Sequence, residues 1–457
     1  MTISELWTWK GTAGRGRYAL VGLIGFALKH NMDRILATSV FEREWGLFNY
    51  WISPVEFPSL TDSDARFLFA MGAMSLPFIW VGLSMTLKRL RSAGLPAWGV
   101  ACFFLPFLNL LFFLILCVLP ERTPEPAIRA ASWLDRLIPI HPIGSAAMGV
   151  LATNALGIPA VLLATQGLGN YGWGLFVGVP FCVGLVSVLV YTYHEPRSLL
   201  ICLLEATIAV GIWAGLLIAG AIEGLICVIM AAPLAVPLAL LGGLVGYVIQ
   251  RPGGAGREAA QVYPALVGAL PLLLVAENAS QPPAPVFEVR SSIEIQATPA
   301  AVWKQVVSFS QLPEPEEWLF RLGIAYPIRA EMEGSGPGAE RHCVFSTGSF
   351  IEPIEVWDEP RLLKFSVTSN PPPMQEWTPY EAVHPPHLKG FLESDGGQFL
   401  LKPLPGGRTL LEGTTWYRHS LWPAAYWKVW SDEIIHQIHL RVLRHIKVLA
   451  SQSPERQ

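Results

Sequence analysis

The sequence predicts a chain of two parts: an N-terminal, all-α domain that spans a membrane several times, and a C-terminal α+β domain. Only 15% of the 457 residues are charged and 52% are hydrophobic, whereas a soluble protein carries about 25% charged residues. The charges are also unevenly placed, because residues 286–457 hold 16 of the 32 Lys+Arg and 20 of the 35 Asp+Glu. The charge-poor front is typical of membrane helices, and the rest is typical of a globular domain.

Long apolar runs supply the predicted membrane spans, since a helix needs about 20 mostly apolar residues to cross a bilayer. A first span beginning near Tyr18 has no cleavage site after it and is expected to be retained. Val262–Ala276 is shorter and is interrupted by two prolines, so we expect seven or eight spans. The prolines of AAPLAVPLALLGG (231–243) are compatible with a broken helix of the transporter kind. The clear candidates are Phe67–Leu87, Ala97–Leu119, Ile143–Thr165, Tyr171–Tyr193, Leu199–Ala221 and Leu225–Ile249.

Three ionisable residues fall inside or beside these runs. Lys29 and Asp33, in KHNMDR, have the i,i+4 spacing of a helical ion pair, although a position at the lipid headgroups explains them more simply. Glu205, in ICLLEATIAVGIW, lies within a predicted span. Such a residue indicates a transport site or, more simply, a packed and hydrogen-bonded carboxyl group.

The positions of Lys and Arg predict the orientation of the chain in a bacterial inner membrane. Three basic residues between positions 10 and 17 precede the first span, and the KRLR loop at 88–91 follows the second. These segments are expected in the cytoplasm, and eight spans would return the C-terminal domain there as well. RPGGAGR (251–257) would then face outward. If Val262–Ala276 does not cross, the C-terminal domain changes sides.

Two stretches carry family-like motifs: GRGRYALVGLIGF (14–26), with a Gly-Arg-x-x-Arg-like start, and MTLKRLRSAGLPAWGVACFFLPFLNLLFFLILCVLP (85–120), with a basic loop. They resemble the DUF805 family of small bacterial membrane proteins, whose loop has the form R-R-L-H-D-x-G-x-x-G-W. Arg91 and Ser92 stand here where His and Asp are commoner. The resemblance implies a membrane fold and no particular chemistry.

The periodicity changes after the polar, Pro-rich NASQPPAP (278–285). In FEVRSSIEIQ (287–296) apolar and polar residues alternate, which indicates a half-buried strand. Thr298 as N-cap and Pro299 as first helical residue then begin a short helix. Four further stretches between 336 and 420 have strand patterning with turn signals between them. Apolar residues at spacings of three and four then predict a long terminal helix.

Three motifs accompany this order of elements: I-x-I-x-A-x-P-x-x-V-W at 293–303, V-W-D-E-P-x-x-L-x-F at 356–365 and G-G-R-T-x-L at 406–411. They resemble the START-like or SRPBCC superfamily, which includes proteins labelled polyketide cyclase/dehydrase. The resemblance implies a helix-grip fold, in which an antiparallel sheet wraps a long C-terminal helix around an apolar cavity. Each tryptophan taken singly is explained more simply as core. The expected ligand-binding residues are Trp303, Trp357, Trp416, Trp427, Trp430, Ile434 and Ile438.

Histidines are concentrated in the C-terminal domain. Acid/base candidates are His387, His439, Tyr417 and Glu412, if their side chains face the pocket, but no nucleophile or phosphate motif accompanies them. HPPH and EIIHQIH also allow a metal interpretation, which lacks a further ligand at zinc-site spacing. We expect a solvated or pocket-rim histidine cluster, with no metal and no cofactor. The metal alternative would use His384, His387, His436 and His439.

These observations predict a membrane protein whose cytoplasmic START-like domain binds a lipid or another hydrophobic small molecule from the adjacent bilayer. One alternative is a membrane-tethered cyclase, dehydratase or isomerase, which fold analogy alone does not establish. Another is a transporter or sensor regulated by the soluble domain. The net charge of −3 argues against nucleic acid as a partner. The predicted domains are 1–120, DUF805-like; 121–277, further transmembrane helices; 278–286, linker; and 287–450, START-like.

Overall fold

The computed structural model describes residues 3–46, 50, 62–95, 97–104, 108–119, 121, 133–250, 268–280, 283–380, 383 and 385–452. Up to residue 280 the regular structure is almost entirely helical, and after it an antiparallel sheet accompanies a long C-terminal helix. This is the fold class that the sequence predicts.

The helices of the membrane part fall into two groups. The first comprises α1 (Ile3–Trp7), α2 (Arg15–Val40), α3 (Asp62–Ala93), a 3-10 helix (Ala97–Phe104), α4 (Leu108–Val118) and α5 (Trp133–Leu137). The second comprises α6 (Pro142–Leu162), α7 (Val179–Tyr191), α8 (Leu199–Ala219), α9 (Leu225–Ile249) and α10 (Gly268–Ala279). Five described helices are long and apolar enough to cross a membrane: Ser63–Ala93, Pro142–Gly167, Gly174–Tyr191, Leu199–Ala219 and Leu225–Ile249.

The predicted span Ala97–Leu119 is instead two short helices whose outer ends lie side by side. Leu95 N donates a hydrogen bond to Leu90 O at 2.9 Å just before the first piece. Arg89 Nε donates to Leu116 O at 2.8 Å near the end of the second. The predicted KRLR loop (88–91) is instead the basic last part of α3. Both ends of the 97–119 segment lie beside it, so the segment enters the helical bundle and returns to the same end.

The Pro-rich run does not form a broken helix, because α9 continues through Pro233 and Pro237. Membrane helices tolerate proline where neighbouring groups satisfy the freed carbonyl. KHNMDR likewise lies inside the continuous helix α2. There Lys29 Nζ forms an ion pair with the buried Asp33, and Tyr50 Oη donates a hydrogen bond to the same carboxylate at 2.6 Å.

Helices α7 and α9 approach each other closely through two glycines. A Cβ atom on Gly184 would lie 1.8 Å from the carbonyl oxygen of Ala239, and one on Gly242 would lie 2.0 Å from that of Phe181. Small residues at helix crossings allow backbones to pack directly against each other in membranes. This crossing forms the centre of the second helical group.

The C-terminal domain contains a seven-stranded antiparallel sheet with the order β1-β7-β6-β5-β4-β3-β2. The sheet carries α13 on one face, where Val442, Leu443 and Ile446 join its core. The strands are β1 (Val286–Ile295), β2 (Pro327–Glu333), β3 (Glu340–Phe345), β4 (Gly348–Asp358), β5 (Leu362–Ser366), β6 (Leu392–Leu404) and β7 (Arg408–His419). The helices are α11 (Pro299–Val307), α12 (Trp318–Arg321) and α13 (Ala424–Gln452), with a 3-10 turn at Pro386–Leu388.

The C-terminal domain packs directly on two turns of the membrane part. Trp422 N donates a hydrogen bond to Tyr171 O at 2.9 Å, beside the turn between α6 and α7. Leu225 N, at the start of α9, donates to Trp377 O at 3.1 Å. These contacts bring the loop between β5 and β6 and the start of α13 against the ends of the membrane helices.

Candidate functional site

Two adjoining cavities lie where the sheet, α13 and the membrane helices meet. The first, here called the helix-grip cavity, lies between the sheet and α13 and has a volume of about 140 Å³. Its wall is largely apolar and includes Phe345, Phe350, Ile438 and Val442. This is the cavity that the helix-grip fold implies.

A buried ion pair forms part of the wall of the helix-grip cavity. Arg341 Nη1 contacts Glu352 Oε2, and both side chains are buried. The guanidinium carbon lies 5.4 to 5.6 Å from the ring centres of Phe309, Phe365 and Phe399. Burial raises the pKa of Glu352, although the charge and hydrogen bond of Arg341 oppose the shift.

His439 forms the polar side of the same cavity. Its Nε2 lies 2.7 Å from Thr415 Oγ1, and its Nδ1 lies 3.1 Å from Ser291 Oγ. Ser291 Oγ also lies 2.7 Å from His436 Nδ1. Burial and, to a smaller extent, the neighbouring His436 together lower the pKa of His439 to about 4. The imidazole is therefore neutral at pH 7, and both of its ring nitrogens have hydroxyl partners.

The second cavity, here called the interdomain chamber, has a volume of about 270 Å³. It lies between helices α6 to α9 and the C-terminal domain, with Leu175 and Trp213 on one side and Leu421 and Trp427 on the other. Its lining is almost wholly apolar. A cavity of this character suits the body of a hydrophobic molecule.

The chamber has two further boundaries that bear on access. Pro373, Leu392 and Ile434 line both cavities, so these three side chains form the partition between them. Gly211, in the second half of α8, lines the chamber and is itself exposed. The chamber therefore borders α8, a helix that is apolar enough to cross a membrane.

A polar cluster stands at one wall of the interdomain chamber. Cys227 Sγ lies 2.7 Å from His387 Nε2, and Glu376 Oε1 lies 3.9 Å from the same nitrogen. On the other side of the ring, His387 Nδ1 lies 3.3 Å from Tyr171 Oη and 3.4 Å from Glu223 Oε2. Tyr171 Oη donates a hydrogen bond to Glu223 Oε1 at 3.0 Å. The imidazole thus stands between a thiol and two carboxyl groups.

The local fold holds each member of this cluster. Glu376 accepts hydrogen bonds from the backbone N–H groups of Ile226 and Cys227, at 3.0 and 3.2 Å, and so caps the start of α9. Helix N-termini favour such carboxylates because their first N–H groups lack partners. Glu223 lies in the turn before α9, and His387 lies in the 3-10 turn between β5 and β6.

Burial governs the protonation of the cluster. It raises the pKa of Glu223 to about 8, and the neighbouring Glu376 adds to the shift, while the hydrogen bond from Tyr171 opposes it. Burial also raises the pKa of Glu376 and of Tyr171. It lowers the pKa of His387 to about 4. At pH 7 the imidazole is neutral, because a buried ring is poorly solvated as a cation.

Sequence reasoning missed this cluster as a unit. Cys227 and His387 are separated by 160 positions, so no spacing rule connects them. The HPPH motif points to His387, whereas Cys227 is one of several cysteines in apolar runs and carries no motif of its own. The one available signal was the polar pair of Glu223 and Cys227, at i,i+4, beside the start of an otherwise apolar run.

Three of the seven expected ligand-binding residues line a cavity. Trp427 lines the interdomain chamber, Ile438 lines the helix-grip cavity, and Ile434 lines both. All three lie on α13. The helical spacing that predicted α13 therefore also brought together the face that the two cavities share.

The other four expected ligand-binding residues lie elsewhere. Trp303 and Trp357 pack edge to face in the core, with ring centres 5.6 Å apart. Trp416 Nε1 donates a hydrogen bond to Glu288 Oε2 at 3.1 Å. Trp430 packs against the apolar cluster around Trp427 without lining a described cavity.

The expected acid/base candidates are dispersed. His387 lies in the polar cluster and His439 in the wall of the helix-grip cavity. Tyr417 is buried and donates a hydrogen bond to Asp432 Oδ1 at 2.6 Å. Burial, with the neighbouring Asp432, raises the pKa of Tyr417. Glu412 pairs with basic residues on neighbouring strands. The four residues therefore do not form one constellation.

The expected metal alternative is divided in the same way. His436 and His439 share Ser291, whereas His387 is in the polar cluster, and His384 lies outside the described residues.

The membrane residue Glu205 is buried in α8 close to α6, where a Cβ on Gly149 would lie 3.0 Å from its Oε1. It does not line the interdomain chamber.

Comparison with known proteins gives similarities over both parts of the chain. No curated protein matches it. Residues of this chain are similar to a truncated norcoclaurine synthase from Thalictrum flavum, with 12% identity over 38% of this chain and 99% of that one and a TM-score of 0.26. Protein XoxI from Bacillus cereus is 16% identical, over 36% of this chain and 96% of that one, with a TM-score of 0.24. An uncharacterized protein from Bacillus thuringiensis is 16% identical, over 36% of this chain and 100% of that one, with a TM-score of 0.25.

The N-terminal part of the chain is similar to a protein family. The motifs at 14–26 and 85–120 predicted a DUF805-like membrane region, and that prediction is confirmed. Residues 6–127 match the family described as "Protein of unknown function (DUF805)".

Proposed function

We propose that this protein binds a lipid or another hydrophobic small molecule in the interdomain chamber, at the junction of its membrane helices and its helix-grip domain. The observation that carries the proposal is the chamber itself, which is largely apolar and is walled by both parts of the chain. Neither part forms the chamber alone. The fusion of the two folds thus has a physical rationale.

The position of the chamber favours a ligand taken from the bilayer. Gly211 lines it and is exposed on α8, so an apolar chain can enter sideways without crossing water. Tyr171, Glu223 and His387 line the same chamber. They give it one polar end, which suits a molecule with a long apolar body and a small polar head.

The partition gives the ligand a route onward into the helix-grip domain. Pro373, Leu392 and Ile434 separate the two cavities by a single layer of side chains. Leu and Ile side chains change rotamers rapidly compared with backbone rearrangements. We propose that a ligand extends from the chamber towards the helix-grip cavity when Ile434 and Leu392 turn aside.

The proposal also concerns the side of the membrane on which the C-terminal domain lies. The sequence predicts a cytoplasmic C-terminal domain, but the contacts favour the opposite side. The N-terminal segment lies against the basic end of α3, since Lys88 Nζ donates to Glu5 O. The same end of α3 adjoins Leu119, whose side chain packs beside Gly144 at the start of α6. The C-terminal domain instead packs beyond the end of α6, at Tyr171.

The cause of the difference is the returning segment at 97–119, which removes one crossing from the expected count. The end of α9 also lies at the basic end of the bundle, because Gln250 Oε1 accepts a hydrogen bond from Arg197 N at 2.9 Å. In the sequence, RPGGAGR (251–257) follows Gln250 directly. Because basic segments stay in the cytoplasm, we propose that the helix-grip domain faces away from it, in the periplasm of a bacterial inner membrane.

A matched pair of α8 variants tests ligand binding. Gly211 and Gly215 are both exposed, and a Cβ on either meets no atom within 4 Å, but only Gly211 lines the chamber. The full chain is first placed in lipid discs of defined composition and then purified in detergent. The lipids that remain bound are extracted from the protein and quantified by mass spectrometry. We expect about one retained lipid per wild-type chain, the same in Gly215→Trp, and a severalfold loss in Gly211→Trp. Equal retention in all three proteins, or none in the wild type, would contradict the proposal.

A further inference from the structure

The polar cluster beside the chamber contains carboxyl groups without a cationic partner. Glu223 is 8% exposed and Glu376 is 7% exposed. Within the described part of the chain, neither forms an ion pair with a lysine or arginine. Buried carboxylates are normally paired with a cation or bound to a metal ion, because water is excluded. The cluster therefore holds two buried carboxyl groups that no lysine or arginine of the described residues neutralises, and a bound cation would stabilise their ionised form.

The donor atoms of the cluster are those that zinc prefers. Cys227 Sγ and His387 Nε2 face each other, and the Cys227 thiol is within hydrogen-bond reach of the Glu376 carboxylate. One candidate ligand atom from each of Glu223, Cys227 and His387 lies within 4.8 Å of the others. Glu376 is outside that group but adds a further carboxylate oxygen, Oε1, 3.9 Å from His387 Nε2. Thiolate and imidazole ligands favour zinc over magnesium or calcium, which take oxygen ligands.

The other ring nitrogen of His387 is held in the way that zinc-bound histidines are held. Nδ1 faces Tyr171 Oη and Glu223 Oε2, and Tyr171 fixes Glu223 by donating to its Oε1. Glu223 Oε2 has no hydrogen-bond partner among the described residues. With the proton on Nδ1, the lone pair of Nε2 points towards Cys227 and Glu376. A hydrogen-bond partner on the non-ligating nitrogen, here Tyr171 Oη held by Glu223, fixes the tautomer and orientation of a metal-binding histidine.

We propose that this cluster binds one zinc ion through Cys227 Sγ, His387 Nε2 and Glu376 Oε1, with Glu223 and Tyr171 positioning the imidazole. Tetrahedral zinc with bonds of about 2.0–2.3 Å requires Sγ and Nε2 to separate by about 1 Å from their present contact. Three protein ligands leave a fourth position, and it opens to the interdomain chamber because Cys227 and His387 both line it. The ion joins α9 to the helix-grip domain.

Cobalt substitution of the full chain tests the site without any mutation. The protein is purified in detergent, treated with a chelator and titrated with Co²⁺, and then with Zn²⁺ in competition. We expect one equivalent of Co²⁺ and a near-ultraviolet thiolate-to-cobalt charge-transfer band, which Zn²⁺ abolishes. Failure of the wild-type protein to bind either ion, or saturation without the thiolate band, would overturn the proposal. The result does not depend on whether the chamber holds a lipid.

Variants then assign the ligands. We expect Cys227→Ser to lose the band and His387→Gln to lose stoichiometric binding, whereas Cys117→Ser, a cysteine in α4, keeps both. Glu376→Gln should likewise abolish stoichiometric binding, with Glu205→Gln as the buried-carboxylate control. Retention of the band in Cys227→Ser would overturn the site.

Glu223→Gln tests its positioning role separately from ligation. Loss of an outer-shell carboxylate weakens metal affinity by about 10–100-fold, so we expect weaker binding with the stoichiometry and the thiolate band preserved. Complete loss in Glu223→Gln with unchanged binding in Glu376→Gln would overturn the roles given to the two carboxylates. Zinc should also protect Cys227 from alkylation in the wild-type protein, a readout that no folding defect in a variant affects.

Discussion

Arg341 and Glu352 form an ion pair across neighbouring strands β3 and β4, inside the wall of the helix-grip cavity. The side chains are 2% and 8% exposed, and three phenylalanine rings surround the guanidinium. Each charge is therefore solvated almost wholly by the other. Replacing one partner of such a pair destabilises the fold, because the charge of the other partner stays buried without a counter-ion.

We expect Glu352→Gln to lower the free energy of unfolding of the C-terminal domain by about 3–5 kcal/mol. The measurement is denaturant unfolding of the full chain in detergent, followed by near-ultraviolet circular dichroism. Glu355→Gln is the control, because Glu355 pairs with Lys364 at the surface, and such pairs contribute less than about 1 kcal/mol. The double variant Arg341→Met/Glu352→Leu should be close to the wild type, since it buries no charge. A Glu352→Gln protein as stable as Glu355→Gln would refute this reasoning.

The lowered pKa of His439 predicts how stability depends on pH. The folded protein holds this pKa at about 4, against about 6.5 in an unfolded chain. Between these values the unfolded state binds more protons, so the free energy of unfolding falls as the pH falls from about 6.5 to 4. The slope from this residue is at most about 1.4 kcal/mol per pH unit, and the contribution is complete above pH 6.5.

His439→Gln should remove that part of the slope, while His342→Gln, a partly exposed histidine, should not. The test compares denaturant unfolding of the three proteins at several pH values. Differences between variants are used, because other groups titrate equally in all of them. The interpretation fails if His439→Gln and the wild type lose stability in parallel between pH 6.5 and 4.

The close crossing of α7 and α9 predicts how the protein responds when a side chain is added between their backbones. Because a Cβ on Gly184 would meet the Ala239 carbonyl oxygen at 1.8 Å, Gly184→Ala forces the two helices apart. Overpacking of this kind typically costs about 1–3 kcal/mol. Gly215→Ala, where a Cβ meets nothing within 4 Å, should be neutral or slightly stabilising because alanine favours helices. Thermal unfolding in detergent compares the two, and equal melting temperatures would speak against a tight crossing.

Local pattern explains why the fold could be predicted from the sequence. Alternation in 287–296 predicted β1, and the spacing of Trp427, Ile434 and Ile438 predicted α13, because both signals lie within a few residues of chain. The same logic failed at 97–119. An apolar run of suitable length predicts a crossing helix, but a run that turns back inside the bundle has the same composition.

The polar cluster could not be predicted because its members meet only in three dimensions. Cys227 belongs to a membrane helix and His387 to a loop of the soluble domain, and nothing in the local sequence of either records the contact. The expected residues Trp303 and Trp357 show the converse. Their aromatic character suits a pocket or a core equally well, and only the packing of α11 against the sheet decides for the core.

Orientation in the membrane is the remaining prediction, and reporter fusions to the full chain test it. A fluorescent protein that folds only in the cytoplasm should be bright at the N-terminus and dark at the C-terminus. Alkaline phosphatase, which is active only outside the cytoplasm, should give the reverse pattern. The physical reason is the number of crossings: because 97–119 returns to the end at which it starts, the basic segments and the helix-grip domain lie at opposite ends of α6. A C-terminus that is fluorescent and lacks phosphatase activity would restore the cytoplasmic placement that the sequence predicts, and would require one more crossing than the contacts of Leu95 and Leu116 permit.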